Sequence, residues 1–260
     1  MSELNALNLV AISVGNSRTA VGLFRNDALE RSERIANSDL AAIVDAVVRA
    51  WGEIEREANA SILLASVNDA FAETLVAALD DAVSTEIFRI GDEVAIPIGS
   101  QLDPETITGV DRLLNAAAAW ETLKSACVIV DAGTAVTVDF VDGVGTFQGG
   151  AIAPGAALQL AALHEHTAAL PQVSFAAPDP EAFGKNTRQA MLQGVFHGIR
   201  GLVWRLTEQY AERYGAFPTV IATGGDAETL FGHDELVNRI VPDLTLLGMA
   251  AAARAAAGDA

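Results

Sequence analysis

The chain has 260 residues, 51% of them hydrophobic, and a formal net charge of −18. That length suits one large domain or two of ordinary size, with enough apolar surface for a sizeable core. The acidic balance argues against nucleic acid or an anionic membrane surface as partner. With only two lysines, Lys124 and Lys185, and no GxxxxGK[ST] run, a P-loop enzyme is excluded.

One cysteine, Cys127, allows no internal disulfide, which fits a reducing, cytoplasmic setting. Cys127 lies in an apolar run and reads as a core residue. No basic stretch followed by an apolar core opens the chain, so no signal peptide is expected. No apolar run approaches the roughly 20 residues that a membrane helix needs.

In chain order, residues 1–8 read as a loose leader. Strands follow at Leu9–Val14, Thr19–Arg25 and about Ala28–Ile35, consecutive and antiparallel. Asn37-Ser38-Asp39 reads as the cap of a helix to about Trp51, with Leu40, Ile43, Val44, Val47 and Val48 on one face. Ser61–Val67 is a buried strand, Asn68-Asp69 caps a helix over Ala70–Leu79, and Thr85–Ile90 is a strand. Gly91–Thr108 reads as irregular, and a helix opens at Gly109-Val110-Asp111-Arg112. Beyond residues 122–126 the strand pattern restarts at 126–131, 134–141 and 145–153. A short helix near Ala156–Leu163, a proline loop, a long helix over Thr187–Tyr214, a strand at Thr219–Ala222 and a closing helix over Leu244–Ala257 complete the reading. Gly194, Gly198 and Gly201 mark close packing on the long helix, either internal or between copies. Strands first, then strand–helix alternation, predict a mixed sheet flanked by helices in each half, 1–123 and 124–260.

The two halves share a motif. Ile12-Ser13-Val14-Gly15-Asn16-Ser17 leads into an alternating strand, and so does Val130-Asp131-Ala132-Gly133-Thr134. Ser13 matches Asp131 and Gly15 matches Gly133, 118 residues apart (131 − 13). A spacing that long reads as a duplicated domain rather than a solenoid period. Each copy is a strand, a Gly turn and a strand. Such turns let backbone N–H groups hold a phosphate while carboxylates hold its cation.

Other residues carry possible chemistry. Asp111 sits at a helix start, where an acidic residue is also simply favoured by the helix dipole. Its neighbours make it more: Gly109 permits close approach, Arg112 can clamp an anion, and Asp111 can accept a proton. Thr223-Gly224-Gly225 follows a strand and offers a backbone seat for a nucleotide. Gly184-Lys185-Asn186-Thr187 is a second such turn, or Thr187 caps the long helix. His164 and His166 cannot share a helix face and read as surface residues; His197 reads as packed or solvated.

Taken together, Val14-Gly15-Asn16-Ser17, Gly109-Val110-Asp111-Arg112, Asp131-Ala132-Gly133-Thr134, Gly149 to Gly155, Gly184 to Thr187 and Ala222 to Gly225 resemble the type III pantothenate kinases, in the same order. The resemblance implies a duplicated actin-like (ribonuclease H-like) α/β fold of the superfamily of acetate and sugar kinases, heat-shock ATPases and actin. It implies ATP-dependent phosphorylation of pantothenate, Mg²⁺ with a monovalent cation (K⁺ or NH₄⁺), and a homodimer. Asp111 would be the catalytic base. Gly109, Val110, Asp111, Arg112 and Thr187 would bind pantothenate. Ser13, Val14, Gly15, Asn16, Ser17, Arg18, Thr19 and Ala20 would wrap the ATP phosphates, with Thr134, Gly224 and Gly225 also at ATP and Asp131 at the metal. Two positions depart from the family pattern. Ser13 stands where the first motif has Asp, and Gln101-Leu102-Asp103 replaces an aromatic contact. Three readings follow, the first favoured: an active kinase with a modified cation site, a weak relative that binds the ligands and regulates, or a kinase of the same fold acting on a different small acid.

Overall fold

The computed structural model describes residues 6–258. Of the expected leader, residues 1–5 lie outside them. Leu7 is buried and Asn8 opens the first strand, so the last residues of the expected leader belong to the fold.

The chain divides into two compact units, and the division is not a single cut. The first unit takes the chain up to Ile98, then Asp103–Thr122, then Asp243 onward; the second takes Gly99–Leu102 and Leu123–Pro242.

In the first unit β1 (Asn8–Val14), β2 (Arg18–Arg25) and β3 (Ala28–Ala36) form the antiparallel meander that the alternation predicts. α1 (Leu40–Ile54) follows, capped by Asp39, whose side chain accepts from Ala42 N at 3.1 Å. Its buried stripe is Ile43, Ala46, Val47, Ala50 and Ile54, while the expected core residue Val48 is exposed. The stripe runs on to Ile54 because the helix extends three residues past Trp51. β4 (Ala60–Ser66) then lies parallel to β1. α2 (Asp69–Asp80) starts on the Asn68 cap, and β5 (Ile87–Arg89) lies parallel to β4. The sheet order is β3-β2-β1-β4-β5. β6 (Gly99–Ser100) belongs to the second unit's sheet, and α3 (Val110–Leu123) returns to the first unit.

The second unit repeats the plan. β7 (Cys127–Ala132), β8 (Ala135–Val141) and β9 (Thr146–Pro154) form a second antiparallel meander. α4 (Ala156–Glu165) and α5 (Thr187–Tyr214) precede β10 (Thr219–Thr223), which lies parallel to β7. α6 (Ala227–Phe231) and β11 (Arg239–Ile240) follow, β11 parallel to β10. The sheet order is β11-β10-β7-β8-β9-β6. Read from β9 it matches the first sheet strand for strand and direction for direction, with β6 added at the edge. The duplication inferred from the motif spacing is therefore present in the topology. α7 (Leu244–Gly258) closes the chain within the first unit.

Each unit buries its own apolar core. Val10, Ile12, Val21, Ile43, Val47, Leu64 and Leu75 pack between the first sheet and α1–α2. On the other face of that sheet, Leu9, Phe24, Leu63 and Leu114 pack with Leu246, Met249 and Ala250 of α7. In the second unit Val128, Val130, Val138, Leu192, Ile199 and Val220 form the core. Cys127 is fully buried there, and burial pushes its thiol up to about 12, so it is inert core as expected. Among the described residues no helix is long and apolar enough to cross a membrane.

Candidate functional site

In open α/β sheets, ligands gather at the C-terminal ends of the parallel strands. Ser13 in the first unit, and Asp131 and Thr223 in the second, lie at such ends.

In the first unit, Ser13 is the penultimate residue of β1, half-buried, paired with Ala20 on β2 and Ala65 on β4. Val14 is buried, and the chain then turns through Gly15, Asn16 and Ser17 into Arg18. Gly15 N–H donates to Arg18 O at 3.0 Å. Asn37 grips the same turn from behind: its Nδ2 donates to Gly15 O at 2.8 Å, and its backbone N–H donates to Ser17 O at 3.0 Å. Its Oδ1 accepts from Thr19 Oγ1 at 2.9 Å. Asn16, Ser17 and Arg18 are exposed, whereas Thr19 is fully buried and commits its hydroxyl to Asn37.

Val67 links this turn to the start of α3. Its N–H donates to Val14 O at 3.0 Å, and its Cγ1 lies 3.6 Å from where a Cβ on Gly109 would stand. Asp111 Oδ1 would be 2.6 Å from that Cβ, so the carboxylate lies back over Gly109. Any larger residue there would push the carboxylate away. Asp111 Oδ1 accepts the N–H of Arg112 at 2.8 Å. Burial raises the Asp111 carboxyl above its ordinary value, outweighing the Arg112 N–H bond, the Arg112 charge and its own backbone N–H, which all pull it down.

In the second unit, Asp131 is the penultimate residue of β7, as Ser13 is of β1, and pairs with Thr137 and Thr223. The turn closes with Gly133 N–H donating to Ala135 O at 2.9 Å. Gly155 N–H donates to Thr134 O at 3.0 Å, and a Cβ on Gly155 would overlap Gly133 O. Gly224 has φ +95°, and a Cβ there would fall 2.5 Å from Asp131 Oδ1 and 2.6 Å from the Ala132 carbonyl carbon. The Asp131 carboxylate therefore rests against bare backbone, and only glycine fits. Asp131 and Gly224 are thus brought together, Thr134 lies against Gly155, and Gly225 follows Gly224 and is exposed. Thr187, exposed, is the first residue of α5; the cap of that helix is Asn186, which accepts from Gln189 N at 2.9 Å.

Two residues escaped sequence reasoning. Asn37 read as part of a helix cap, yet Asp39 alone caps α1 and Asn37 holds the β1–β2 turn. Asp226 follows Gly225, donates its N–H to Ala132 O at 2.9 Å, and has its carboxyl raised by burial. Its position directly after Thr-Gly-Gly was the available signal. The histidines lie elsewhere: His164 Nδ1 is 2.8 Å from Leu170 O, and exposed His197 stacks edge-on to Phe196.

Among the described residues no group of three or more His, Cys, Asp and Glu side chains could cage a metal. Mg²⁺ does not require one, because it is usually held by one or two carboxylates together with waters and substrate phosphates. Asp131 against the Gly224 backbone fits that mode.

The sequence profile of the type III pantothenate kinases matches residues 9–209. A type III pantothenate kinase of Anaeromyxobacter sp. is 32% identical over 252 residues, covering 93% of this chain and 96% of the relative. One from Rhodospirillum rubrum is 34% identical over 248 residues, covering 93% and 96%. A crystal structure from Campylobacter jejuni, of a protein assigned to a Baf family of transcriptional activators, superposes with TM-score 0.62 at 20% identity over 95% of this chain and 98% of that one. That likeness is one of fold alone. With a duplicated α/β fold, a profile match over residues 9–209 and relatives above 30% identity across nearly the whole chain, the chain belongs to the type III pantothenate kinase family.

Proposed function

We propose that this protein transfers the γ-phosphoryl group of ATP to the primary hydroxyl of pantothenate, the first step of coenzyme A biosynthesis. The observation that carries the reading is Asp111: a carboxylate folded over Gly109, fixed by the Arg112 N–H, with its proton affinity raised by burial. A raised proton affinity makes a stronger general base for a hydroxyl.

Asp111 takes the proton of the pantothenate hydroxyl as that oxygen bonds to the γ-phosphorus. The bond from the γ-phosphorus to its bridging oxygen breaks, and 4'-phosphopantothenate and ADP leave. Little covalent work falls to the protein in such transfers, which depend on positioning and charge stabilisation. Arg112 pairs with the pantothenate carboxylate, with Gly109 and Val110 lining the approach and Thr187 contacting the acid. By family resemblance Ser13–Ala20 would wrap the ATP phosphates, with Thr134, Gly224 and Gly225 also contacting ATP. Asp131 and the phosphates would hold Mg²⁺, which would supply neutralising charge to the transferring group. Ser13 can offer a hydroxyl oxygen but no charge, which leaves Asp131 as the carboxylate of the two matched positions. A monovalent cation, K⁺ or NH₄⁺, completes the requirement by family resemblance.

A homodimer in the cytoplasm is part of the same proposal. It is supported by α5, where added Cβ atoms at Gly194, Gly198 and Gly201 would meet nothing within 4 Å, and by exposed Ile152, Leu158 and Trp204. The glycine stripe is therefore not an internal packing seam.

Turnover of pantothenate with ATP, Mg²⁺ and K⁺ tests the reading, measured beside Asp111→Asn. The expected outcome is turnover in the parent and a loss of about 10²–10⁴-fold in kcat in the variant. Equal rates would remove Asp111 from the role of base. A parent that binds ATP without turnover would be a ligand-binding relative instead.

A further inference from the structure

We propose that Asn37 is the positioning residue that holds the β1–β2 turn open for a nucleotide phosphate. This rests on the kinase reading for the identity of the ligand, and on the turn's geometry for the role.

A two-residue β-turn normally closes with a pair of backbone bonds between the residues that flank it. Here only one is made, from Gly15 N–H to Arg18 O at 3.0 Å. The reciprocal acceptor, Gly15 O, is taken at 2.8 Å by Asn37 Nδ2. Ser17 O is drawn to the same residue, 3.0 Å from Asn37 N. In a planar trans peptide the N–H points opposite to the C=O. Pulling the Gly15 and Ser17 carbonyls toward Asn37 therefore aims the N–H groups of Asn16 and Arg18 away from it. Both N–H groups then lie on the side of the turn away from Asn37, where an anion can accept from them.

The amide itself is locked. Thr19 Oγ1, fully buried, donates to Asn37 Oδ1 at 2.9 Å. Gly15 O can only accept, so it takes the Nδ2 end of the amide, and that leaves Oδ1 facing the Thr19 hydroxyl. The lock explains why a buried threonine serves a phosphate loop it does not face. Asn37 lies between β3 and α1, so the brace is anchored in the sheet edge and not in the turn it holds.

The variants Asn37→Ala, Asn37→Asp and Thr19→Val test this in the full-length protein. Titration with MgATP reads binding, and pantothenate phosphorylation reads KM for each substrate. Asn37→Ala should weaken MgATP binding, and raise KM for ATP, by about tenfold. KM for pantothenate should stay within about twofold, because the acid is bound elsewhere. Asn37→Asp keeps the acceptor for Thr19 but loses the donor to Gly15 O, and should weaken ATP at least as much. Thr19→Val, close to isosteric, should give a smaller loss of about threefold. Unchanged ATP affinity in Asn37→Ala and Asn37→Asp would overturn the proposal. So would equal rises in both KM values together with a lowered thermal midpoint, which would mark general destabilisation. If Asn37→Ala does not fold, Asn37→Asp and Thr19→Val carry the decision. If the parent lacks kinase turnover, the kinase reading fails alone, and the MgATP titration still decides the role of Asn37.

Discussion

Asp111 is held in two ways that pull against each other. Burial raises its pKa, while the Arg112 N–H at 2.8 Å and the Arg112 charge lower it, and burial wins. Two pH effects follow with opposite use. The base works only when ionised, so kcat/KM should fall on the acid side with a single-proton limb lying above the ordinary aspartate value of about 3.9. Stability runs the other way. A carboxyl with a raised folded pKa contributes stability that is complete below its unfolded pKa and is lost as pH rises through the folded value. Asp111→Asn keeps the shape and can still accept the Arg112 N–H. Its thermal midpoint should therefore lie above the parent's at pH 7, and the gap should close as pH falls toward about 4. Paired thermal unfolding curves across that range check it. A variant less stable than the parent at neutral pH would mean that the bonds to the charged form outweigh its burial.

At the scale of elements, much of the fold was legible because alternation and caps are local signals. The two meanders, the Asp39 and Asn68 caps and the Ser13/Asp131 correspondence all follow from a few adjacent residues. β6 and β11 were not legible. Each has two residues, too few for any period, and each exists only through its partner: Gly99 beside Thr146, Arg239 beside Ile221. Asn37 was misread because a residue near a helix start has an obvious local use, whereas its real partner, Gly15, is 22 residues away. The closing helix was legible in sequence, but the contact it makes was not. Gly248 of α7 lies against the Leu114 carbonyl of α3, which an added Cβ would overlap. Thr245 Oγ1 donates to Asn115 Oδ1 at 2.8 Å beside it. Gly52 of α1 is the opposite case, with open space where its Cβ would stand. Ala substitution gains helix propensity of up to about 1 kcal/mol at either glycine. At Gly248 overpacking costs about 1–3 kcal/mol and should win. Urea midpoints should thus rise for Gly52→Ala and fall for Gly248→Ala. A rise for both would show that α7 can slide off α3 at no cost.

Over the whole molecule the dominant fact is charge. Sixteen Lys and Arg stand against 34 Asp and Glu, yet the proposed substrates, ATP and pantothenate, are both anions. Local features oppose this field at the site: the backbone N–H groups of the β1–β2 turn, exposed Arg18, and Arg112 at the head of α3. These act over a few ångströms, whereas the net charge of −18 acts out to the Debye length, about 30 Å at 0.01 M salt and about 8 Å at 0.15 M. Long-range repulsion should therefore slow the encounter with ATP at low salt, and screening should relieve it. The expected result is a kcat/KM for ATP that rises between those ionic strengths, with kcat nearly constant. The salt must be one whose cation does not substitute for K⁺, with K⁺ and Mg²⁺ held fixed. A fall would mean that the positive groups at the site, not the acidic surface, set the field that an approaching nucleotide meets.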